Sequence, residues 1–162
     1  MKNDDNKYFF SNKGFSLIEL IVVIALLGIL GAIASTQIVD ISSKMRVTSA
    51  MNQIISDIEL TKELALANSS TMTITYDTNL EQYFIKKDGS LVTNFPGSDN
   101  GIVSLSDNIF SNTDLTQINL NGSNSITIDK WGNVLNSGVI VLNDNYIITI
   151  SEVSGSTQVA QP

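Results

Sequence analysis

The pattern of hydrophobic and polar positions divides the chain into three stretches. Residues 15–34 are almost all apolar, and the single carboxylate in this run, Glu19, lies near its start. Twenty helical residues extend about 30 Å, which is the thickness of the hydrocarbon core of a membrane. The pattern therefore predicts a transmembrane helix over residues 15–36.

A second pattern follows, with apolar positions three, four and seven residues apart. They are Val47, Met51, Ile54, Ile58 and Ala65. Charged residues lie between them, namely Lys44, Arg46, Asp57, Glu59, Lys62 and Glu63. This spacing is typical of an amphipathic helix with one buried side. We expect residues 37–70 to continue the first helix and to dock a globular domain.

After residue 70 the period becomes two, which is typical of half-buried strands. Strands are predicted at residues 72–76, 82–86, 102–105, 115–120, 125–128, 139–142 and 146–151. The last two flank a turn and form a hairpin, whereas residues 92–101 read as a loop and residues 154–162 as a frayed tail. The expected fold is α+β. A long N-terminal helix packs on a C-terminal antiparallel sheet or small β sandwich over residues 71–153.

The composition of the chain excludes several kinds of catalytic and binding site. The chain has no cysteine and no histidine, so it lacks thiolate chemistry, the commonest general base and the commonest zinc ligand. Its net charge is −7, which opposes a phosphate-binding surface. The aspartates are scattered in turn contexts without the close spacing of a calcium loop. We expect no catalytic residues, no cofactor and no metal, and we expect Trp131 and Gly132 to form a packed turn.

The start of the apolar run has an unusual order of residues. A charged leader ends at Gly14, and Phe15 opens the hydrophobic segment. A secretory signal peptide is cut after its apolar region, whereas a cut after Gly14 would leave that region in the mature chain. Such a cut would give Phe15 a free amine one helical turn from Glu19. An acid deep in a membrane costs about 2.5–3.5 kcal/mol, and pairing reduces that cost.

The segment Lys-Gly-Phe-Ser-Leu-Ile-Glu-Leu, residues 13–20, resembles the class III signal of type IV pilins and type II secretion pseudopilins. The resemblance implies that prepilin peptidase removes residues 1–14 and methylates Phe15. It also implies that Glu19 neutralises the amine of a neighbouring subunit. Many family members carry a proline aligned with Thr36. Its absence removes that cause of a bend, while Gly28 and Gly31 still permit local unwinding.

The layout of the whole chain is similar to minor pseudopilins of the H type and to FimT-like minor pilins. By this resemblance the partners are prepilin peptidase, other pilin or pseudopilin subunits, an inner-membrane assembly platform and, before assembly, membrane lipid. Three lysines precede the apolar run and Lys44 and Arg46 follow it, which favours a cytoplasmic N-terminus. The β domain would then lie in the periplasm or outside the cell.

Two other functions stay open. A FimT-like pilin for DNA uptake would need a basic surface, and Lys86, Lys87 and Lys130 offer little of one. An uncleaved single-pass binding protein would keep the leader and form no filament. The residues do not distinguish secretion, pilus and competence machines from one another.

Overall fold

The computed structural model describes residues 14–161, without the side chains of residues 34–40 and Asn108. The expected leader therefore lies outside the described residues apart from Gly14. The described chain falls into two compact units that divide between Asp40 and Ile41. Helix α1, Leu17–Asn68, belongs to both units and is the one α-helix among the described residues. Its backbone is helical through Thr36, the position at which the family proline is missing.

Helix α1 ends in a hydrogen-bonded reversal rather than by fraying. The Ser69 amide donates to the Leu66 carbonyl and the Ser70 amide to the Ala65 carbonyl, each at 3.2 Å. Ser69 has a φ of 50°, the left-handed conformation that usually closes this motif. The helix thus ends at Asn68, two residues before the predicted limit at residue 70, and the chain turns directly into the first strand.

Nine short strands follow the helix in the described part of the chain. They are β1 Met72–Asp77, β2 Gln82–Lys87, β3 Ser90–Leu91, β4 Ile102–Ser104, β5 Leu115–Asn119, β6 Ser125–Ile128, β7 Gly138–Leu142, β8 Tyr146–Ile150 and β9 Thr157–Ala160. A single 3-10 turn, Asn108–Phe110, lies between β4 and β5. All seven predicted strands are present, whereas β3 and β9 were not predicted.

The strands form two antiparallel sheets. The first has the order β3-β2-β1-β6, with β4 pairing the other end of β2, and the second has the order β5-β7-β8-β9. Side chains alternate between buried and half-buried along β1 and β6. The buried residues of both sheets and of the second half of α1 form one hydrophobic core, which includes Ile58, Ile74 and Ile148. The α+β fold expected from the sequence is confirmed.

The expectation of a frayed tail at residues 154–162 is wrong for most of that segment. Gly155, with a φ of 62°, donates its amide to the Ser151 carbonyl and reverses the chain. Residues Thr157–Ala160 then pair antiparallel with β8, so the β domain extends past the predicted boundary at residue 153. Backbone hydrogen bonding to an open sheet edge orders this segment, although it contributes little apolar burial.

The apolar positions predicted to be buried along the second half of the helix are confirmed, and one charged residue among them is buried as well. Val47, Met51, Ile54, Ile58 and Ala65 are all buried at 2% exposure or less. Asp57, expected among the solvated charges between them, is instead buried at 4% exposure. A carboxylate can occupy such a position only with hydrogen-bond donors around it, because desolvating an unpaired charge is costly.

Candidate assembly site

The N-terminus of α1 is closed by a reciprocal pair of hydrogen bonds. The Ser16 amide donates to Oε2 of Glu19 at 2.9 Å, and the Glu19 amide donates to the Ser16 hydroxyl at 3.2 Å. This is a capping box, in which two otherwise unpaired backbone donors of the first turn are satisfied by side chains. The carboxylate also lies where the helix dipole favours negative charge.

The structure therefore gives Glu19 a local role that the sequence analysis missed. The signal was present as the Ser-x-x-Glu spacing of residues 16–19. Glu19 uses Oε2 for the cap, and no hydrogen bond to Oε1 occurs within residues 14–161. Among the described residues, one carboxylate oxygen is thus engaged and the other accepts no hydrogen bond.

Gly14 and Phe15 lie just outside the cap and are exposed. The Phe15 side chain is 86% exposed, and no heavy atom lies within 4 Å of where a Cβ on Gly14 would be. This arrangement leaves the bond between them accessible to another protein. Cleavage at this bond and methylation of Phe15 remain predictions from the motif.

The first half of α1 exposes large apolar side chains on every side. They are Phe15, Leu17, Ile18, Leu20, Ile21, Val22, Val23, Ile24, Leu26, Leu27, Ile29, Leu30 and Ile33, all at 47% exposure or more. A contiguous apolar surface of this extent is unusual for a soluble monomer and marks an interaction surface. Within the described part of the chain, no helix is both long and apolar enough to cross a membrane.

Comparisons with known proteins converge on this segment and on the fold. Residues 10–35 match the family model of the prokaryotic N-terminal methylation motif. The fold matches the solved structure of the minor pseudopilin EpsH from the type 2 secretion system of Vibrio cholerae. That match has a TM-score of 0.53 and covers 72% of this chain and 96% of the other, at 9% identity.

Together these matches support a type IV pilin or pseudopilin family. A fimbrial protein of Pseudomonas aeruginosa is 46% identical over 44 residues, which is 27% of this chain and 29% of the fimbrial protein. The chain therefore spans under a third of the length of that curated relative. Pilin and pseudopilin subunits assemble with other pilins in filaments.

A polar cluster inside the β domain was also missed by the sequence analysis. Asp57 on α1 accepts hydrogen bonds from the Tyr83 hydroxyl at 2.6 Å and from Nε2 of Gln53 at 2.9 Å. Burial raises the pKa of the Asp57 carboxyl, and these two hydrogen bonds oppose the shift only in part. Burial and the nearby Asp57 charge raise the pKa of Tyr83 as well. The cluster joins α1 to β2 inside the core.

The predicted turn at Trp131 and Gly132 is confirmed as a turn, but Trp131 is not packed. Its side chain is 68% exposed, with Nζ of Lys130 5.1 Å from the ring centroid. Asp129 begins the same turn. Desolvation alone would raise the pKa of Asp129, but hydrogen bonds donated by Asn133 and by the Trp131 amide outweigh that effect and lower the pKa. Gly132, by contrast, is buried against Leu66 of α1.

The scattered aspartates do not converge on a metal site in the described structure. No three acidic, histidine or cysteine side chains lie close enough there to share an ion. Several of the aspartates stabilise turns instead, as Asp77 does by accepting the Asn79 amide at 2.9 Å.

Proposed function

We propose that this chain is a minor pseudopilin of a type II secretion system, or of a closely related filament. The observation that carries the proposal is Glu19, hydrogen-bonded in the first turn of a helix whose apolar side chains are exposed on every side. The methylation motif and the likeness to a minor pseudopilin structure support it. Prepilin peptidase cuts between Gly14 and Phe15, and the new N-terminal Phe15 is methylated.

Before assembly, residues 15–36 hold the subunit in the inner membrane. The N-terminus is cytoplasmic and the β domain lies on the opposite side. The exposed apolar side chains of the first half of α1 support this arrangement, because lipid or neighbouring helices must cover them. The assembly platform then transfers this segment from lipid into the bundle of subunit helices.

Glu19 directs that transfer. Lipid tails are as apolar as leucine, so moving the helix from lipid into a bundle gains little from the hydrophobic effect. Packing and polar pairing must supply the preference, and Glu19 is the one acid between residues 15 and 39. Its Oε1 accepts from the Phe15 ammonium of a neighbouring subunit, while Oε2 keeps the cap of its own helix.

The role is structural rather than catalytic. The chain has neither histidine nor cysteine, and its family consists of structural filament subunits. The buried Asp57 and Tyr83 pair binds helix to sheet and is closed to substrate at 4% and 0% exposure. Partners are accordingly prepilin peptidase, sister subunits and the platform, with no cofactor.

Mass spectrometry of the membrane-extracted chain tests the processing step. The expected intact mass corresponds to a chain that starts at Phe15 and carries one methyl group. A Gly14→Ala variant should keep the leader if the glycine is required. A wild-type species that still begins at Met1 in cells with active peptidase would overturn the proposal.

A second candidate is a subunit of a type IV pilus, including one for DNA uptake. The 46% identity to a fimbrial protein over 44 residues favours it. The lysines give DNA binding little support, since Lys86 lies over Phe84, Lys87 donates to Asn68 and Lys130 lies over Trp131. Deleting the gene separates the two: lost export with normal pili indicates a pseudopilin, and lost pili or lost DNA uptake indicates a pilin.

A further inference from the structure

The second sheet ends in strand β9, whose outer edge is open. Thr157–Ala160 pairs with β8 on one side, from Ile147 opposite Ala160 to Ile150 opposite Thr157. No hydrogen bond reaches its other side from residues 14–161. Unpaired amides and carbonyls along a sheet edge form a template for another strand.

The edge of the first sheet at β6 is blocked by the chain itself. The Thr127 amide donates to Oδ1 of Asn136 at 2.9 Å, and the Thr127 carbonyl accepts from the Leu135 amide at 2.9 Å. Nδ2 of Asn136 also donates to the Ser125 carbonyl at 2.6 Å. The segment around Asn136 thus covers this edge and leaves no template there.

The other edge of the second sheet, at β5, is protected in a different way. Its register with β7 shifts between Leu115 and Gln117, which is a bulge that interrupts regular pairing. The Glu81 carboxylate accepts the Leu115 amide, so that donor is occupied. Strand β9 has no such feature, because its register with β8 is regular and Thr157–Ala160 contains no charge and no proline.

A row of apolar side chains crosses the second sheet and ends at β9 with a partly exposed residue. Directly paired residues have side chains on the same face of a sheet. Ile118, Ile140, Ile148 and Val159 form such a row across the four strands. Ile140 and Ile148 are fully buried, whereas Val159 is 45% exposed. An additional strand with an apolar residue opposite Val159 would complete the row.

We propose that the β9 edge pairs with the β9 edge of a second copy of this chain. The strand fits itself: it carries no charge that would repel its copy, and Val159 is the apolar residue that the unfinished row requires. The two strands run antiparallel about a two-fold axis, and the core-facing side chains of both copies stay on one side of the joined sheet. This condition excludes pairing Gln158 with Val159. Of the registers that it allows, Val159 opposite Val159, with Gln158 opposite Ala160, is the one that completes the apolar row.

Such a contact is symmetric, because each copy uses the same edge, and no free β9 edge is left for a third copy. It joins two copies and does not propagate a filament, so it belongs to subunits outside the helical array. The inference goes beyond the filament role and does not depend on it, since it concerns a different unit of the chain from Phe15 and Glu19.

Single cysteines test the pairing in the full-length chain, which has no cysteine of its own. Opposite residues of antiparallel strands have Cα atoms about 4.5–5.5 Å apart, within the range that a disulfide bridges. In membranes treated with a mild oxidant, Val159→Cys should give a reducible dimer. Gln158→Cys is the matched control, because its two copies lie about 8 Å apart in this register, beyond disulfide reach.

Further variants make the result decisive. A chain with both Gln158→Cys and Ala160→Cys should cross-link, because Gln158 lies opposite Ala160 of the second copy. Adding Val159→Lys to it should leave the monomer folded, because the side chain is at an exposed edge, and should abolish the dimer. Leu135→Cys, at a 50% exposed position away from β9, measures random collision. Dimer formation at Val159→Cys well above both controls supports the pairing. Equal dimer at all three positions, no dimer at Val159→Cys, or a disulfide to a different protein overturns it.

Discussion

The Tyr83 hydroxyl donates a 2.6 Å hydrogen bond to Oδ2 of Asp57 and so joins strand β2 to helix α1 inside the core. Gln53, one helical turn before Asp57, donates to the other carboxylate oxygen at 2.9 Å. Hydrogen bonds to a charged group are stronger than neutral ones, and burial strengthens them further. The pair fixes which face of the helix lies against the sheet.

Removing the Tyr83 hydroxyl should destabilise the β domain. Tyr83→Phe leaves the buried Asp57 with one donor fewer, and we expect a loss of about 1–3 kcal/mol in the free energy of unfolding. Tyr76→Phe is the matched control, since the Tyr76 hydroxyl is buried without a hydrogen-bond partner in the described structure. That variant should be neutral or stabilising in urea denaturation of the detergent-solubilised chain. Equal losses in the two variants would contradict a special role for the Tyr83 bond.

The Asp57 carboxyl should make stability depend on pH. Burial raises its folded-state pKa above the ordinary value of 3.8, so the folded chain binds this proton more tightly than the unfolded chain. The resulting stabilisation is complete below 3.8 and is lost as the pH rises through the folded-state pKa. Asp57→Asn is neutral at every pH. The stability of wild type relative to this variant should therefore fall from acid to neutral pH. A constant difference across that range would refute the assignment.

Glu19 can be tested separately as a cap and as a charge. Glu19→Gln keeps a side-chain oxygen that can accept the Ser16 amide but removes the charge, whereas Glu19→Ala removes both. If the charge pairs with a neighbouring amine, filament incorporation should fall alike in both variants. If capping alone matters, Glu19→Gln should assemble normally.

Ser16→Ala completes this set. It removes the hydroxyl that accepts the Glu19 amide while keeping the charge, and it should cost about 0.5–2 kcal/mol of local helix stability. Filament incorporation should be largely retained, because the carboxylate stays in place. Incorporation lost as completely as in Glu19→Ala would show that the cap, not the charge, controls assembly.

The exposed turn at Trp131 offers a contrast between two adjacent residues. Trp131→Ala should change the free energy of unfolding by less than about 0.5 kcal/mol, because the ring is 68% exposed. Gly132→Ala should cost about 1–2 kcal/mol, because Gly132 has a φ of 79° and its new methyl group would meet Leu66 at 2.9 Å. Thermal denaturation followed by circular dichroism measures both. A larger loss at Trp131 would mean that its ring packs in solution.

Periodicity predicted the parts of this fold in which burial alternates regularly. The spacing correctly predicted the buried helical positions Val47, Met51 and Ile54. It also correctly predicted the alternating strands β1 and β8. Asp57 was missed because a lone acid in an amphipathic helix is usually solvated. Its donor Tyr83 lies 26 residues further along the chain and is brought close only by folding.

At the N-terminus, Gly14, Phe15 and Glu19 were selected from sequence order alone, but the role of Ser16 was not. The Ser-x-x-Glu spacing of a capping box is present in the sequence. It was missed because Glu19 was considered only as a costly acid among apolar residues. Strand β9 could not be predicted from periodicity, since Thr157–Ala160 contains a single large apolar residue, Val159. It is ordered by the open backbone edge of β8, which leaves no pattern in the sequence.

The position of the buried core along α1 determines where the chain can be shortened. The first core residue is Val47, and the compact unit that contains the sheets begins at Ile41. A version that starts at Ile41 keeps every side chain of the described core and discards the apolar surface of residues 15–33. Starting beyond Met51 would remove Val47, Ala50 and Met51 from beneath the sheets, so a water-soluble form for crystallisation should begin within the few residues before Val47.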